Sequence, residues 1–139
     1  MMKNKRSFGD LGENAAVKYL RRHHFRILGR NLVFRHGELD IVASNRDTLV
    51  FVEVKTRTVG YSTAHFGSGA SAVDKNKQKH LISAARSYLA RHPTEKKIRF
   101  DVIELNLTEE QRDEALRRGK IKRKNIQEIR HTEGAFITH

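Results

Sequence analysis

A chain of 139 residues with 37% hydrophobic content supports one modest core, so residues 1–139 read as a single domain. The absence of cysteine excludes disulfides, thiolate metal sites and thiol nucleophiles, and no apolar run is long enough to span a bilayer, which predicts no membrane partner and a cytoplasmic address. The 28 Lys and Arg against 16 Asp and Glu leave a formal charge of +12, which makes a polyanion the expected partner and nucleic acid the first candidate, ahead of an anionic membrane or an acidic protein.

Along the chain, Ala16, Tyr19 and Leu20 recur at helical spacing, which predicts a helix over 10–24 with Asp10 and Glu13 as a capping box. Residues 25–34 read as a short strand, His36 and Gly37 as a turn, and 38–57 as two strands around the turn at 44–47. The stretch 58–71, rich in Gly, Ser and Thr, reads as a surface loop leading to Ser71 as a helix cap. A second helix over 72–92 places Leu81, Ala84, Ala85 and Tyr88 on one face and stops before Pro93. In the strand expected over 97–105, Ile98, Phe100 and Val102 point one way, Arg99 and Asp101 the other. The charged stretch 106–125 suits either a solvated helix or a flexible insertion, and Ile126, Ile129, Phe136 and Ile137 predict a tail that folds back. Helix, three strands, helix, strand and tail together make an α+β fold.

The hairpin over 37–57 carries the chemistry. Leu39, Ile41 and Ala43 share one strand face, as do Val50, Val52 and Val54 on the next strand; Asp40 and Glu53 fall opposite them. For the apolar faces to meet one core, even positions of one strand must pair with odd positions of the other. A two-residue turn at Arg46 and Asp47 then sets Ser44 against Leu49, Ile41 against Val52, Asp40 against Glu53, Leu39 against Val54 and Glu38 against Lys55. Facing carboxylates, with Cβ atoms roughly 4.5–5.5 Å apart, repel unless a cation lies between them. Mg²⁺ or Mn²⁺ suits such a site, since Mg²⁺ takes one or two carboxylates and completes its shell with water and phosphate oxygens. Lys55 would then orient the water, stabilise the phosphoryl charge or act as a base.

The Asp40, Glu53 and Lys55 pattern matches the D…ExK motif of the PD-(D/E)xK nuclease superfamily. Together with the blocks GDLGENAA, GRN, GELDIV, FVEVKTR, AVDKNKQ, RFDV and GAF, the chain resembles the YraN family, which is similar to archaeal Holliday junction resolvases. The resemblance runs over about residues 9–105 and returns at the tail. It implies a restriction-endonuclease-like mixed sheet flanked by helices (α/β/α-like), a metal held by Asp40 and Glu53, Lys55 as the catalytic lysine, and Glu13 as an acid from the first helix.

Each residue also has a plainer role to be weighed. Glu13 suits a capping box, Lys55 an ion pair with Glu38, and Lys77 and Gln78 a pair of half-buried stems beside Leu81 as well as a phosphate contact. The basic runs at 21–24 and 117–124 are of a kind that is usually only solvated, but the overall charge favours contact with phosphates. Arg21, Arg22, Arg57, Lys75, Lys77 and Gln78 are the candidate nucleic-acid contacts, and no histidine has a trusted ligand spacing. The function expected is a metal-dependent DNA endonuclease that hydrolyses phosphodiester bonds, with branched DNA as a candidate substrate; such a substrate suits a homodimer. The alternatives are a non-catalytic nucleic-acid-binding protein on a nuclease fold, and a basic protein associated with RNA or the ribosome.

Overall fold

The computed structural model describes residues 7–60 and 74–136. Helix α1 spans Phe8–Arg22, followed by β1 (Arg26–Phe34), β2 (Gly37–Ser44), β3 (Thr48–Thr58), α2 (Lys75–Arg91), β4 (Lys97–Leu107), α3 (Glu109–Arg118) and β5 (Glu128–Thr132). The strands form one mixed sheet in the order β1-β2-β3-β4-β5, antiparallel except for the parallel pair of β3 and β4. A parallel pair needs a long crossover, and α2 lies within it. This is an α+β fold with a restriction-endonuclease-like arrangement. No described helix is long and apolar enough to cross a membrane.

Two cores sandwich the sheet. On one face Leu11, Ala16 and Leu20 of α1 pack against Ile41, Val50, Val52, Ile103 and Leu105, with Ala115 of α3 in the same cluster. On the other, Leu81, Ala84, Ala85 and Tyr88 of α2 meet Val42, Leu49, Phe51, Phe100 and Val102. The apolar run of β3 follows from its central place, since both of its faces are covered. Fully burying each such aliphatic side chain contributes about 1.5–3 kcal/mol.

Local chemistry sets the ends of the elements. The capping box of α1 is one turn earlier than the sequence suggests: Ser7 accepts from the Asp10 amide at 3.0 Å, and Asp10 accepts from the Ser7 amide at 3.4 Å. Helix α2 is capped by Asp74, which accepts from the Lys77 amide at 2.8 Å; of the loop expected over 58–71, Thr58 ends β3, and residues 61–71, with Ser71, lie outside the described residues. Between β2 and β3, Asn45 Oδ1 accepts from the amides of Asp47 (3.0 Å) and Thr48 (2.9 Å), an Asx turn that closes the hairpin. In the stretch 106–125, β4 runs on to Leu107, and α3 carries its own capping box from Thr108 and Gln111. The tail does fold back, as β5 on β4.

Register follows the expected parity over part of the hairpin. Ser44 pairs with Leu49, Ala43 with Val50, Val42 with Phe51 and Ile41 with Val52. Beyond Ile41 the alternation changes. Leu39 packs in the α2-side core while Ile41 packs in the α1-side core, and Val54 lies against the α1 side. Leu39 and Val54 are therefore not the same-face pair that strict alternation requires. The cause lies on β1, where Arg30 pairs with Ile41 and Leu32 with Leu39, while Asn31 between them has a left-handed backbone at φ 50°. That kink turns Leu32 and Leu39 together to the α2 side.

Candidate functional site

Asp40 sits where β2 changes faces. Instead of a ladder partner, its side chain meets the backbone of β3: the Val54 amide donates to Asp40 Oδ2 at 2.9 Å. Glu53, on β3 beside Phe51 of the α2-side core, is 4% exposed. Burial first, and then the Glu53 charge, push the Asp40 carboxyl up to about 6. Glu53 reaches the α2 side of the sheet by simple alternation, whereas Asp40, at the change of face, lies within electrostatic reach of both Lys77 of α2 and Glu13 of α1.

Two lysines share one oxygen of Glu53. Lys55 Nζ is 3.4 Å and Lys77 Nζ 3.6 Å from Oε2, the first reaching along the strand and the second from the first turn of α2. The expected Glu38 partner for Lys55 is replaced by Glu53; Glu38 is exposed beside a shallow cleft that also includes Lys77 and His80. Glu53 Oε1 is buried without a hydrogen-bond partner.

Glu13 looks inward from α1. Its Oε1 accepts from Arg30 Nη2 at 3.0 Å, Arg30 Nε at 3.2 Å and Asn31 Nδ2 at 2.9 Å, and Arg30 also bonds Asn14. With the cap formed by Ser7 and Asp10, Glu13 is not used at the helix start. Burial pushes its carboxyl up, opposed by Arg30 and reinforced by the Asp40 charge, which places Glu13 in the electrostatic reach of the Asp40 and Glu53 pair. Neither Arg30 nor Asn31 was singled out from the sequence as a site residue; the available signal was the GRN block. Another unforeseen group is Glu104. It is fully buried beside β3 with both oxygens lacking a hydrogen bond, and Arg57 Nη1 lies 3.6 Å from its Oε1. Its sign in the sequence is a charge in phase with Phe100 and Val102.

The candidate nucleic-acid contacts do not form one patch. Lys77 joins the acids, and Gln78 follows it on α2, half-buried. Lys75 is exposed at the start of α2, Arg57 is near the end of β3 beside Glu104, and Arg21 and Arg22 are in the last turn of α1.

The donors suit a hard divalent cation. Among the described residues no group of three or more acids and histidines is gathered as a metal site. Mg²⁺ needs only one or two carboxylates from protein, and the unpartnered Glu53 Oε1 beside a carboxyl as unwilling to ionise as Asp40 is the state that a cation would relieve.

Residues 12–105 match the family described as "Uncharacterised protein family UPF0102". A UPF0102 protein of Geobacter metallireducens is 44% identical over 109 residues, 78% of this chain and 86% of the relative. One of Caldanaerobacter subterraneus is 38% identical over 108 residues, 77% and 85% of the two chains, and one of Chlorobium phaeobacteroides (strain BS1) is 47% identical over 96 residues, 68% and 73%. With Glu13, Asp40, Glu53 and Lys55 all inside the matched span, the chain belongs to the UPF0102 (YraN) family, in the nuclease-like superfamily that its D…ExK pattern resembles.

Proposed function

We propose that the protein is a metal-dependent DNA endonuclease that hydrolyses phosphodiester bonds at Asp40, Glu53 and Lys55. The observation that carries this reading is the pair of mutually repelling acids Asp40 and Glu53, with Lys55 and Lys77 on one oxygen of Glu53 and the other oxygen buried and unpartnered. Structural carboxylates are seldom buried together with an oxygen left bare.

Asp40 and Glu53 would hold Mg²⁺ or Mn²⁺, which supplies charge neutralisation and an activated water. Lys55, with 31% of its side chain exposed, can exchange Glu53 for a phosphoryl oxygen without leaving the site. Lys77 does the same at the first turn of α2, where the helix N-terminus also favours an anion. The Val54 amide keeps Asp40 aimed at the site, and Arg30 and Asn31 keep Glu13 beside it. Base-specific contacts are not needed for such a site, so shape and phosphate position select the substrate, with branched DNA as the candidate.

Cleavage of branched and linear DNA with Mg²⁺ or Mn²⁺ tests the proposal. Asp40→Ala and Lys55→Ala are each expected to lower the rate by about 10²–10³-fold, the scale of one lost electrostatic or acid–base contribution. Equal rates in wild type and both variants would overturn it. The absence of a three-acid cluster among the described residues favours one rival, a non-catalytic nucleic-acid-binding protein. That rival predicts salt-sensitive binding, no metal-dependent cutting and indifference to Asp40.

A further inference from the structure

A second concentration of positive charge lies away from the acids. A cleft of about 190 Å³ lies between α1 and the chain that follows α3, with Lys18, Arg22, Lys120, Lys122 and Arg123 in its lining and no carboxylate among them. Its floor is apolar, from Ala15, Ile121, Ile126 and Ile129. The two cationic runs stand about a hundred residues apart in the chain, and folding brings them together. Gly119, at φ 76°, ends α3 and turns the chain back. Ile121 and Ile126 are then buried in the α1-side core, which leaves Lys120 and Lys122 on either side of Ile121 at the cleft.

The nearby acids are already engaged. Asp101 and Glu133, whose charges reach Tyr19 at the cleft wall, are both held by Arg99, at 2.8 and 3.6 Å. None of the five cations forms an ion pair with a described residue. A low-dielectric floor beneath them strengthens their mutual repulsion and equally their attraction for an anion.

We propose that this cleft binds the sugar-phosphate backbone of nucleic acid at a point remote from the acids. The partner class rests on the reading given under Proposed function. Pockets for small organic ligands are mostly apolar and about 300–1,000 Å³, whereas this one is smaller and walled by cations. A bilayer surface is flat, and a concave site of this kind fits a protruding backbone instead. At 3.6 residues per turn, Lys18 and Arg22 point roughly 140° and 180° away from Glu13 around α1, so the cleft lies on the opposite side of the helix and runs along its axis from about 3 to 13 Å beyond Glu13. The cleft and the acids therefore engage different stretches of backbone. Phosphate contacts of this kind position a nucleic acid without reading its bases.

The test is duplex DNA binding by fluorescence anisotropy in EDTA between 50 and 200 mM salt, so that no cleavage enters the measurement. The variant Lys18→Ala/Lys120→Ala/Arg123→Ala removes three exposed cations from the cleft; Lys79→Ala/Arg86→Ala/Arg91→Ala removes three from the exposed face of α2 and keeps the net charge equal. A slope of log K on log salt that is shallower by about 2–3 in the cleft variant, at roughly 0.9 per lost phosphate contact, and by less than 1 in the control, supports the cleft. Equal slopes in the two variants, or a cleft variant equal to wild type, overturn it. Lys18→Arg/Lys120→Arg/Arg123→Lys is expected to keep the wild-type slope, which separates lost charge from lost folding. Tripolyphosphate distinguishes the source of phosphate: saturable micromolar binding that the cleft variant abolishes while DNA binding is unchanged overturns a backbone ligand. If wild type binds no DNA at all, the nucleic-acid reading itself fails; if it binds with no contribution from the cleft, only this inference does.

Discussion

Glu13 and Asp40 show how single carboxylates are held in costly places. Glu13 is 6% exposed and tolerates burial because Arg30 and Asn31 donate three hydrogen bonds to one of its oxygens. Asp40 has the Val54 amide and the Lys77 charge to oppose its burial and the Glu53 charge, and these do not suffice: its pKa is raised to about 6. Because the folded value exceeds the ordinary aspartate value of 3.8, this group favours the metal-free fold fully below about pH 4 and costs stability as pH rises through 6, on the order of 2–3 kcal/mol at about 1.4 per unit. Asp40→Asn keeps an acceptor for the Val54 amide and removes the charge. In EDTA its Tm should exceed that of wild type by several degrees at pH 8, with the gap closing near pH 4. Mg²⁺ should then raise the wild-type Tm and leave that of the variant unmoved. Thermal melts across pH, with and without metal, would expose the opposite sign.

At the scale of elements, the site depends on how closely α1 and α2 approach the sheet. A Cβ on Gly12 would lie 1.8 Å from Thr56 Oγ1, and one on Gly37 would lie 2.4 Å from the His80 carbonyl. One contact seats α1 on β3, the other seats α2 on β2. Gly12→Ala must push α1 outward because Thr56 is anchored in β3. Overpacking of this kind costs about 1–3 kcal/mol, measurable as a lower midpoint in urea, and cleavage should fall further than stability because Glu13 moves with the helix. Alanine is the better helix former, so unchanged or raised stability would mean that the close approach is not what holds α1. Helical period and strand alternation were legible here, including the Ile41 to Ser44 register and the four apolar residues of α2. Two caps were legible only as a type of signal. Ser7 rather than Asp10 starts α1, and Asp74 rather than Ser71 caps α2, because several Ser and Asp residues compete at each end and packing chooses among them.

Across the whole molecule, a buried latch joins the tail to the sheet. Asp101, 1% exposed, accepts from Arg99 at 2.8 and 3.0 Å and from the Gly134 amide at 3.0 Å, and lies 2.7 Å from His131 Nε2. Burial alone would raise its pKa, but His131, Arg99 and Gly134 together hold it below the usual carboxylate range. The fold therefore gains from this group above about pH 4 and loses that gain as pH falls through the lowered value. The Ala135 amide donates to the Phe100 carbonyl at 2.7 Å, and Phe136 stacks on Phe100 at 4.8 Å, so the latch also fixes the edge of the α2-side core. Asp101→Asn should cost about 1.5–3 kcal/mol, the scale of hydrogen bonds to a charged group, and should raise hydrogen exchange in β5 more than in β2. Equal exchange in the two strands would separate Asp101 from the tail.

What the sequence determined by itself is helices α1 and α2, strands β1 to β4, the parity of the hairpin from Ile41 to Ser44, and the nearness of Asp40, Glu53 and Lys55 on adjoining strands. These follow from periods of 2.0 and 3.6 residues, which are local properties of the chain. Tertiary structure decided the rest. The change of face at Asp40 depends on the left-handed Asn31 in a neighbouring strand, and the grip on Glu13 on Arg30 reaching across from β1. The partner of Lys55 became Glu53 instead of Glu38 because the ladder does not continue as a regular pair past Ile41. The basic cleft required Gly119 to return the chain to α1. Each of these joins residues far apart in sequence, and no periodicity carries information about which distant side chain will occupy the other side of a contact. The hairpin thus supplies the acids and the lysine from its own pattern, while their burial and the cations that tune them come from packing against α1, α2 and β1.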